Sequence, residues 1–286
     1  MATKGYRFKG HETFYFREGW LSKALIGLDE NPEVNFLVNI SEGIAKLGVG
    51  SNMVKSIKYW LLVTGLINRQ SQLSPLGHII AENDPYLENE FTLWLLHLNL
   101  VNNLSQATTW QIFWNRFKAD NFKSEDVIKV IISILESEEI QYNVNSLQND
   151  ISVLLSMYSK TAIDDDPEEN MICPLSRLNL IKQTQNIYSK ELPVMIEGIE
   201  LIVLYLITNF AEKETNDRDY LKLVDIEKLL SNQMNMNRIM TSDILDMLKG
   251  RYVDVVKTAG LDIVYLNQVD ILNEIREYYL VVNGRV

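Results

Sequence analysis

Four polar residues in one predicted helix have the side chains that nucleic-acid recognition requires. A helical period of about 3.6 residues places them on one side of a helix over residues 52–64, and they are Asn52, Lys55, Ser56 and Tyr59. Asparagine pairs with adenine edges, lysine reaches guanine or a phosphate, and hydroxyl groups reach phosphates. Lys58 lies at the edge of the same face. The pattern predicts a helix whose outer side faces a DNA groove.

The residues before this helix predict a shorter helix and a tight turn. Ile40, Ile44 and Leu47 share one apolar face. Gly48-Val49-Gly50 then breaks the helix, because glycine adopts a positive φ at little steric cost. Ser51 is expected to cap the next helix through its hydroxyl. Two helices joined by a glycine turn are typical of a helix-turn-helix.

The residues after it predict a small hairpin, residues 66–73, which we call the flap. Gly65 ends the helix, and the flap has two short apolar segments around a polar tip that carries Arg69. Ser74-Pro75 restarts a helix, since proline fits the first helical position. This order predicts an N-terminal winged helix-turn-helix, with Arg69 touching the DNA backbone from the wing. Winged helices also mediate protein contact and dimerisation, and the sequence leaves that alternative open.

Aromatic and basic residues are interleaved in the N-terminal segment, residues 5–26. Six aromatic side chains alternate with cationic or ionisable ones, which are Arg7, Lys9, His11 and Arg17. Such interleaving can stack bases and hold phosphates. The alternative is that the aromatic side chains fill the core. Arg7, Lys9 and Arg17 are candidates for phosphate contacts or for ion pairs.

The charge distribution favours the N-terminal part of the chain as the nucleic-acid surface. The formal net charge is −11, which by itself disfavours binding to phosphates. Residues 1–75, however, hold nine lysine or arginine residues and six acidic ones, a net charge of +3, so the remainder carries −14. The acidic remainder is expected to be a solvated surface or a docking face for a basic partner.

Length and composition limit the class of protein to which the chain can belong. With 286 residues the chain can form two domains, each with its own core. No run of about 18 apolar residues indicates a membrane span, and the first residues lack the apolar core of a signal peptide. Cys173 is the single cysteine, which excludes an internal disulfide and suits a reducing cytoplasm. We therefore expect a cytoplasmic protein without a membrane segment.

Helical periodicity dominates the rest of the chain, so a mainly α fold is expected. Residues 1–103 would contain the N-terminal segment and the winged helix-turn-helix, residues 104–165 a helical region, and residues 166–286 a C-terminal helical domain. The acidic run over residues 164–169 marks the second boundary.

A second winged-helix-like unit is expected at the C-terminus. A helix with Ile244, Leu248 and Val255 on its inner face precedes Ala259-Gly260 and an apolar strand, an order that resembles the one around Gly65. Its outer side carries charges of both signs, on Asp243, Asp246, Lys249, Asp254 and Lys257. Mixed charge favours a protein interface over DNA.

No motif in the sequence predicts an enzyme. Phosphate-loop, dinucleotide, nucleophile-elbow and CxxC patterns are absent. His11, His78 and His97 lack the spacing of metal ligands, and the run 164–169 suits an exposed loop better than a magnesium site, because adjacent carboxylates repel. Cys173, between Ile172 and Pro174, is expected to be a small buried hydrophobic residue. We expect no catalytic residue, no metal and no cofactor.

Three blocks of residues resemble the signature of a known prokaryotic family. They are Gly10-His11-Glu12-Thr13-Phe14 with Arg17, the stretch from Leu47-Gly48-Val49-Gly50-Ser51 to Trp60, and Leu73-Ser74-Pro75-Leu76-Gly77 with Asp84-Pro85 and Thr92-Leu93-Trp94. The family is a domain of unknown function. Its genes lie beside phosphoadenosine phosphosulfate reductase-like genes in DNA phosphorothioation and BREX-like defence islands. The resemblance implies a role in DNA modification or phage defence, and it carries no catalytic residues. Its link to sulfur chemistry also makes Cys173 a candidate for sulfur relay, with the buried hydrophobic role as the alternative.

These observations together predict a DNA-binding accessory protein of a phosphorothioation-related modification or phage-defence system. One alternative is a protein-interaction adaptor that docks the reductase-like sulfotransfer enzyme. Another is a transcriptional regulator of the defence locus, which would require a homodimer on half-sites about one DNA turn apart.

Overall fold

The computed structural model describes residues 5–33, 35–160, 172–214, 220–258 and 261–285. Within them the chain is mainly helical with small antiparallel sheets, as the sequence predicts. No helix in this part of the chain is long and apolar enough to cross a membrane. The chain divides into two compact units, residues 1–191 and 192–286. The acidic run 164–169 lies outside the described residues.

The first unit is helical with one small sheet. Its helices are α1 (Trp20–Glu30), α2 (Ile40–Leu47), α3 (Ser51–Val63), α4 (Pro75–Asn83), α5 (Glu90–Val101), α6 (Thr108–Arg116), α7 (Ser124–Ser137), α8 (Val144–Ser159) and the 3-10 helix Pro174–Leu178. The strands β1 (Asn121–Phe122), β2 (Ile181–Thr184) and β3 (Ile187–Lys190) form an antiparallel sheet in the order β1-β3-β2. Tyr188 of the central strand β3 pairs with Phe122 of β1 and with Gln183 of β2.

Local signals set most helix ends around α3. Gly48 follows α2 in the left-handed region at φ 69°, and its N–H donates to the carbonyl of Ile44. α4 begins at Pro75 as predicted, and Ser74 caps it, because the Ser74 Oγ accepts from the Gly77 N–H at 2.9 Å. The predicted cap at Ser51 is wrong. Ser51 is the first residue of α3, and Gly50 precedes it without a side-chain cap.

A single core joins elements that the sequence analysis assigns to separate domains. α5 packs against α6 and the 3-10 helix, and α8 packs against α6, α7 and the same 3-10 helix. His97 of α5 lies within this core, where its Nδ1 is 2.7 Å from the Tyr158 hydroxyl of α8. The predicted boundaries at 103/104 and 165/166 therefore do not coincide with the observed division after residue 191.

Lys190, the last residue of β3, lies against the aromatic rings of α6 and the residue after it. Its Nζ is 5.2 Å from the ring centroid of Phe113 and 5.6 Å from that of Phe117, and it donates to the Phe117 carbonyl at 2.8 Å. Burial, together with the nearby Lys118 ammonium, lowers the pKa of Lys190 to about 8. Folding thus changes the proton affinity of this lysine.

Lys190→Met is expected to remove a pH dependence of stability. Between the folded pKa of about 8 and the ordinary value of 10.5, the unfolded chain binds a proton that the folded protein releases, so the free energy of unfolding rises with pH. Between about pH 8 and about pH 9.5, the free energy of unfolding of the wild type should rise by on the order of 1 kcal/mol more than that of the variant. Urea unfolding followed by tryptophan fluorescence measures this gain, and parallel curves for the two proteins would contradict it.

The second unit alternates helices with a three-stranded sheet. Its elements are α9 (Ile199–Glu214), β4 (Tyr220–Lys222), α10 (Leu223–Met234), α11 (Arg238–Leu248), β5 (Val253–Thr258), β6 (Leu261–Leu266) and α12 (Ile271–Val282). The strand order is β4-β6-β5, all antiparallel, with Val255 opposite Val264. The predicted helix through Val255 is wrong, because Gly250 at φ 82° follows α11 and the chain continues as a strand. Ala259-Gly260 lies outside the described residues.

Candidate nucleic-acid interface

Helix α3 is held by α1 and α2 and presents its first turn to solvent. Gly43 of α2 permits the close approach, since a Cβ at this position would lie 2.6 Å from a methyl group of Val54. Asn52 and Lys55 are exposed, and the Lys55 Nζ donates to the Asn52 Oδ1 at 3.3 Å. A Cβ at Gly50 would meet no atom within 4 Å, so the start of the helix is open to approach.

Ser56 and Tyr59 do not face solvent, so the prediction that they belong to an outer face is wrong. Ser56 is fully buried, and its Oγ donates to the Phe14 carbonyl at 3.4 Å. Tyr59 is 4% exposed, and its hydroxyl donates to the Gln106 carbonyl at 3.0 Å. Burial raises the pKa of the Tyr59 hydroxyl above its usual range. The physical reason is that the N-terminal segment covers a second side of α3.

Lys58 is half-buried and connects α3 to the segment before α2. Its Nζ donates to the Leu37 carbonyl at 3.1 Å. Asn35, two residues earlier, donates from its Nδ2 to the Ser71 carbonyl at 2.8 Å. Residues 35–37 therefore contact both α3 and the tip of the flap, and place that tip on the Lys58 side of the helix.

The flap is a minimal hairpin. Ile67 and Leu73 form an antiparallel bridge, and the Asn68 N–H donates to the Gln72 carbonyl at 2.8 Å. The Asn68 side chain accepts from the backbone N–H groups of Gln70 and Gln72, which fixes the turn. Arg69 is exposed at this tip, where the sequence analysis places it.

The three cations of the N-terminal segment have different surroundings. Arg7 donates from Nη1 to the Gln106 Oε1 at 2.9 Å, and its guanidinium lies 5.1 Å from the Tyr59 ring centroid. Arg17 is half-buried with its guanidinium 5.3 Å from the Trp20 ring centroid. Lys9 is exposed. Arg7 and Arg17 therefore pack against aromatic rings, as the core-filling alternative allows.

A buried network holds this segment in place, and sequence reasoning did not find it. Asp150 of α8 accepts from the Lys9 N–H at 2.8 Å and from the Thr109 Oγ1 at 2.6 Å. Its Oδ1 also lies 2.8 Å from the His11 Nε2, and both side chains are inaccessible, at 1% and 0% exposure. The carboxylate only accepts, so His11 donates from Nε2. The His11 ring stacks on Trp60 at 5.7 Å between ring centroids, which joins the network to α3.

The remaining candidates for chemistry are separated from one another. Cys173 is fully buried, and burial raises the pKa of its thiol, which favours the hydrophobic role over sulfur relay. His11 and His97 are buried with separate partners, whereas His78 is half-exposed near Asp29. No group of three or more His, Cys, Asp or Glu side chains in the described ranges is arranged to hold a metal ion.

Comparison with known proteins identifies the family. The family model described as protein of unknown function DUF4007 matches residues 8–279. The chain belongs to the DUF4007 family. This membership bears out the resemblance to a family of unknown function, whereas the gene neighbourhood that the resemblance implies remains an expectation.

The chain is also similar to two solved structures of a protein called SspB. One SspB crystal structure has a TM-score of 0.78 and 21% sequence identity, over 96% of this chain and 88% of that chain. A magnesium ion-bound SspB crystal structure has a TM-score of 0.76 and 22% identity over the same shares. At this identity the likeness establishes a shared fold. No curated protein matches the chain.

The magnesium in that SspB structure prompts a test of fit in this DUF4007 chain. Magnesium takes oxygen ligands, usually one or two carboxylates with water and phosphate. In the described ranges, no three His, Cys, Asp or Glu side chains are placed to bind one metal ion. The Asp150 carboxylate already accepts hydrogen bonds from His11, Thr109 and the Lys9 N–H. The described residues therefore offer no set of three such ligands, and no role is assigned to magnesium in this chain.

Proposed function

We propose that this protein is a DNA-binding accessory protein of a prokaryotic DNA-modification or phage-defence system related to phosphorothioation. The observation that carries the proposal is the exposed start of α3 with Asn52 and Lys55, on the side where residues 35–37 hold the flap tip with Arg69. Membership of DUF4007 and the resemblance to a family encoded in defence islands support the biological setting.

The proposed contact is mainly with the DNA backbone. A helix N-terminus attracts phosphate, because unpaired N–H groups and the helix dipole favour an anion there. The first turn of α3 has no acidic residue and no side-chain cap. Lys55 adds a cation one turn into the helix, and Arg69 adds one from the flap. With Ser56 and Tyr59 buried, Asn52 remains as the residue that would read base edges.

We interpret both helix–helix–strand arrangements as winged helices. In the first unit, α2, α3, the flap and α4 follow that order. In the second, β4 precedes two helices and pairs with the last strand of the β5–β6 pair, and this order of strand, two helices and hairpin supports the interpretation. We assign DNA contact to the first unit, where the cations lie, together with Lys9 of the N-terminal segment.

A second candidate function is that of an adaptor which docks a protein partner, for which the reductase-like sulfotransfer enzyme is our candidate. It is favoured by the exposed side of α11, which carries Asp243 and Asp246 and leaves Ile239 73% exposed. Acidic and apolar groups suit protein contact better than phosphate contact. A regulator that binds as a homodimer is a third proposal, and the mass of the protein in solution tests it directly.

The DNA contact is tested by fluorescence anisotropy with a labelled duplex of about two helical turns. We expect Lys55→Ala and Arg69→Ala each to weaken binding by about tenfold at about 0.1 M salt, since each phosphate contact contributes roughly one unit of log K there. Lys129→Ala, which removes an exposed lysine from α7, is the matched control and should bind as the wild type does. Equal affinities for all four proteins would overturn the assignment.

A further inference from the structure

The second unit contains a groove that no part of the DNA proposal uses. It has a volume of about 470 Å³ and lies between α10, α11 and the β5–β6 pair. Leu223, Leu245 and Val255 contribute its apolar surface. Because it is formed from helices and paired strands rather than from loops, its walls are fixed by the fold.

Charged side chains surround this apolar surface, and their pairing leaves a negative excess. Arg238 donates from Nε to the Glu227 Oε1 at 3.1 Å, so these two charges offset each other. The remaining charged groups in the groove are Asp246, Asp262 and Lys249. Asp246 and Asp262 make no salt bridge with any side chain in the described part of the chain. Among the described groove-lining side chains, two carboxylates and one ammonium are thus not offset by a salt bridge.

Exposed aliphatic side chains flank the groove. Ile239 is 73% exposed on α11, directly after Arg238, and helical geometry places it on the same side of the helix as Asp246, two turns away. Val224 is 62% exposed on α10, directly after the groove residue Leu223. Exposed apolar side chains that border a charged cleft indicate a surface for a protein partner.

We propose that this groove binds a peptide segment of a partner protein in which a cationic side chain is flanked by aliphatic residues. The cation would lie between Asp246 and Asp262, where an arginine can donate to carboxylate oxygens through its planar fork. Lys249 would donate to a carbonyl of the bound segment, and the aliphatic neighbours would cover Ile239 and Val224. The second unit has 15 acidic and 10 basic residues, so its charge attracts such a segment.

The inference rests on the proposed adaptor function and is independent of DNA contact by the first unit. Duplex DNA is the alternative ligand of the groove. It is disfavoured because its phosphate oxygens would be repelled by the carboxylates of Asp246 and Asp262. Loss of peptide binding and loss of DNA binding are separate measurements on the same full-length protein. The failure of one proposal is therefore distinguishable from the failure of the other.

The test is isothermal titration calorimetry with a capped five-residue peptide that alternates leucine and arginine. The comparison peptide has glutamate in place of arginine. We expect the arginine peptide to bind and the glutamate peptide not to bind. Asp246→Asn and Asp262→Asn should each weaken binding by about fivefold or more, since each removes one charge partner of the cation. Asp254→Asn removes an exposed carboxylate from β5, next to the groove residue Val255 but on the opposite face of the sheet, and should bind as the wild type does.

Several results would overturn the proposal. They are no binding of the arginine peptide at millimolar concentration, equal binding of the glutamate peptide, and equal weakening by Asp254→Asn. Tighter binding of duplex DNA by both groove variants, with no effect on the peptide, would assign the groove to nucleic acid instead. Because Asp246 is exposed, Asp246→Asn keeps the test valid even if Asp262→Asn fails to fold.

Discussion

Replacing Asp150 with alanine is expected to destabilise the first unit by about 3–5 kcal/mol. The carboxylate is 1% exposed and accepts from the Lys9 N–H, the Thr109 hydroxyl and the His11 ring. Its loss leaves three donors without their acceptor, two of which, the His11 ring and the Thr109 hydroxyl, are buried, and a buried polar group without a partner costs free energy. The residues next to this contact are also strained, since Lys9, Glu12 and Thr13 all have positive φ values. The network therefore helps to hold the N-terminal segment in the position in which it covers α3.

Urea unfolding followed by tryptophan fluorescence measures this loss. The five tryptophans lie between residues 20 and 114, so their fluorescence follows the first unit. Glu82→Ala, which removes an exposed carboxylate from α4, is the control and should change the free energy of unfolding by less than about 0.5 kcal/mol. A loss below about 1 kcal/mol for Asp150→Ala would show that the network does not anchor the segment.

Gly77→Ala is expected to destabilise the same unit by about 3 kcal/mol, although alanine is the better helix former by about 1 kcal/mol. A Cβ at this position would lie 2.0 Å from the carbonyl oxygen of Leu66, which is backbone and cannot rotate away. The same carbonyl accepts from the Ser74 N–H at 3.0 Å, so a shift there disturbs both the start of α4 and the flap.

Gly5→Ala provides the matched control for this substitution, since a Cβ at Gly5 meets no atom within 4 Å. The midpoint of urea unfolding should fall for Gly77→Ala and stay unchanged for Gly5→Ala. Because the flap carries Arg69, the variant should also bind DNA more weakly than the wild type at a temperature where it is folded. If Gly77→Ala were as stable as the wild type, the backbone at Leu66 would be able to move away from the added Cβ at no cost, which would contradict this account.

The order of elements around α3 could be predicted because its signals are local. Gly48, Gly65 and Ser74-Pro75 each determine the end or the start of a helix within a few residues of themselves. The apolar period of α3 likewise gives its inner side. The mainly α class follows from the same periodicity repeated along the chain.

The burial of Ser56 and Tyr59 could not be predicted from α3 alone. A helical period shows that one side is apolar, but it does not show that a second element covers another side. Here the covering element contains Phe14, whose carbonyl accepts from both Ser56 and Trp60. The residue that anchors this element, Asp150, is 139 positions from its partner His11. Contacts of that separation have no signature in a single sequence.

The boundary between the two units shows the same limit. The sequence places it at the acidic run, a reasonable sign of an exposed segment, whereas Cys173, Leu175 and Leu178 pack into the core of the first unit. In the sequence, Cys173-Pro174-Leu175 follows the acidic run and so resembles the start of a new domain. In the structure, these residues belong to the last part of the first unit. These residues are buried by contacts with distant parts of the unit, so their burial cannot be read from the local sequence.

The central claim is that the open start of α3 and the flap bind the DNA backbone. The most direct measurement is the slope of log K against log salt concentration for duplex DNA, in the wild type and in the double variant Lys55→Ala/Arg69→Ala. The two lost phosphate contacts should lower the magnitude of the slope by about two units, while Lys129→Ala leaves it unchanged. Identical slopes for the wild type and the double variant would contradict the claim.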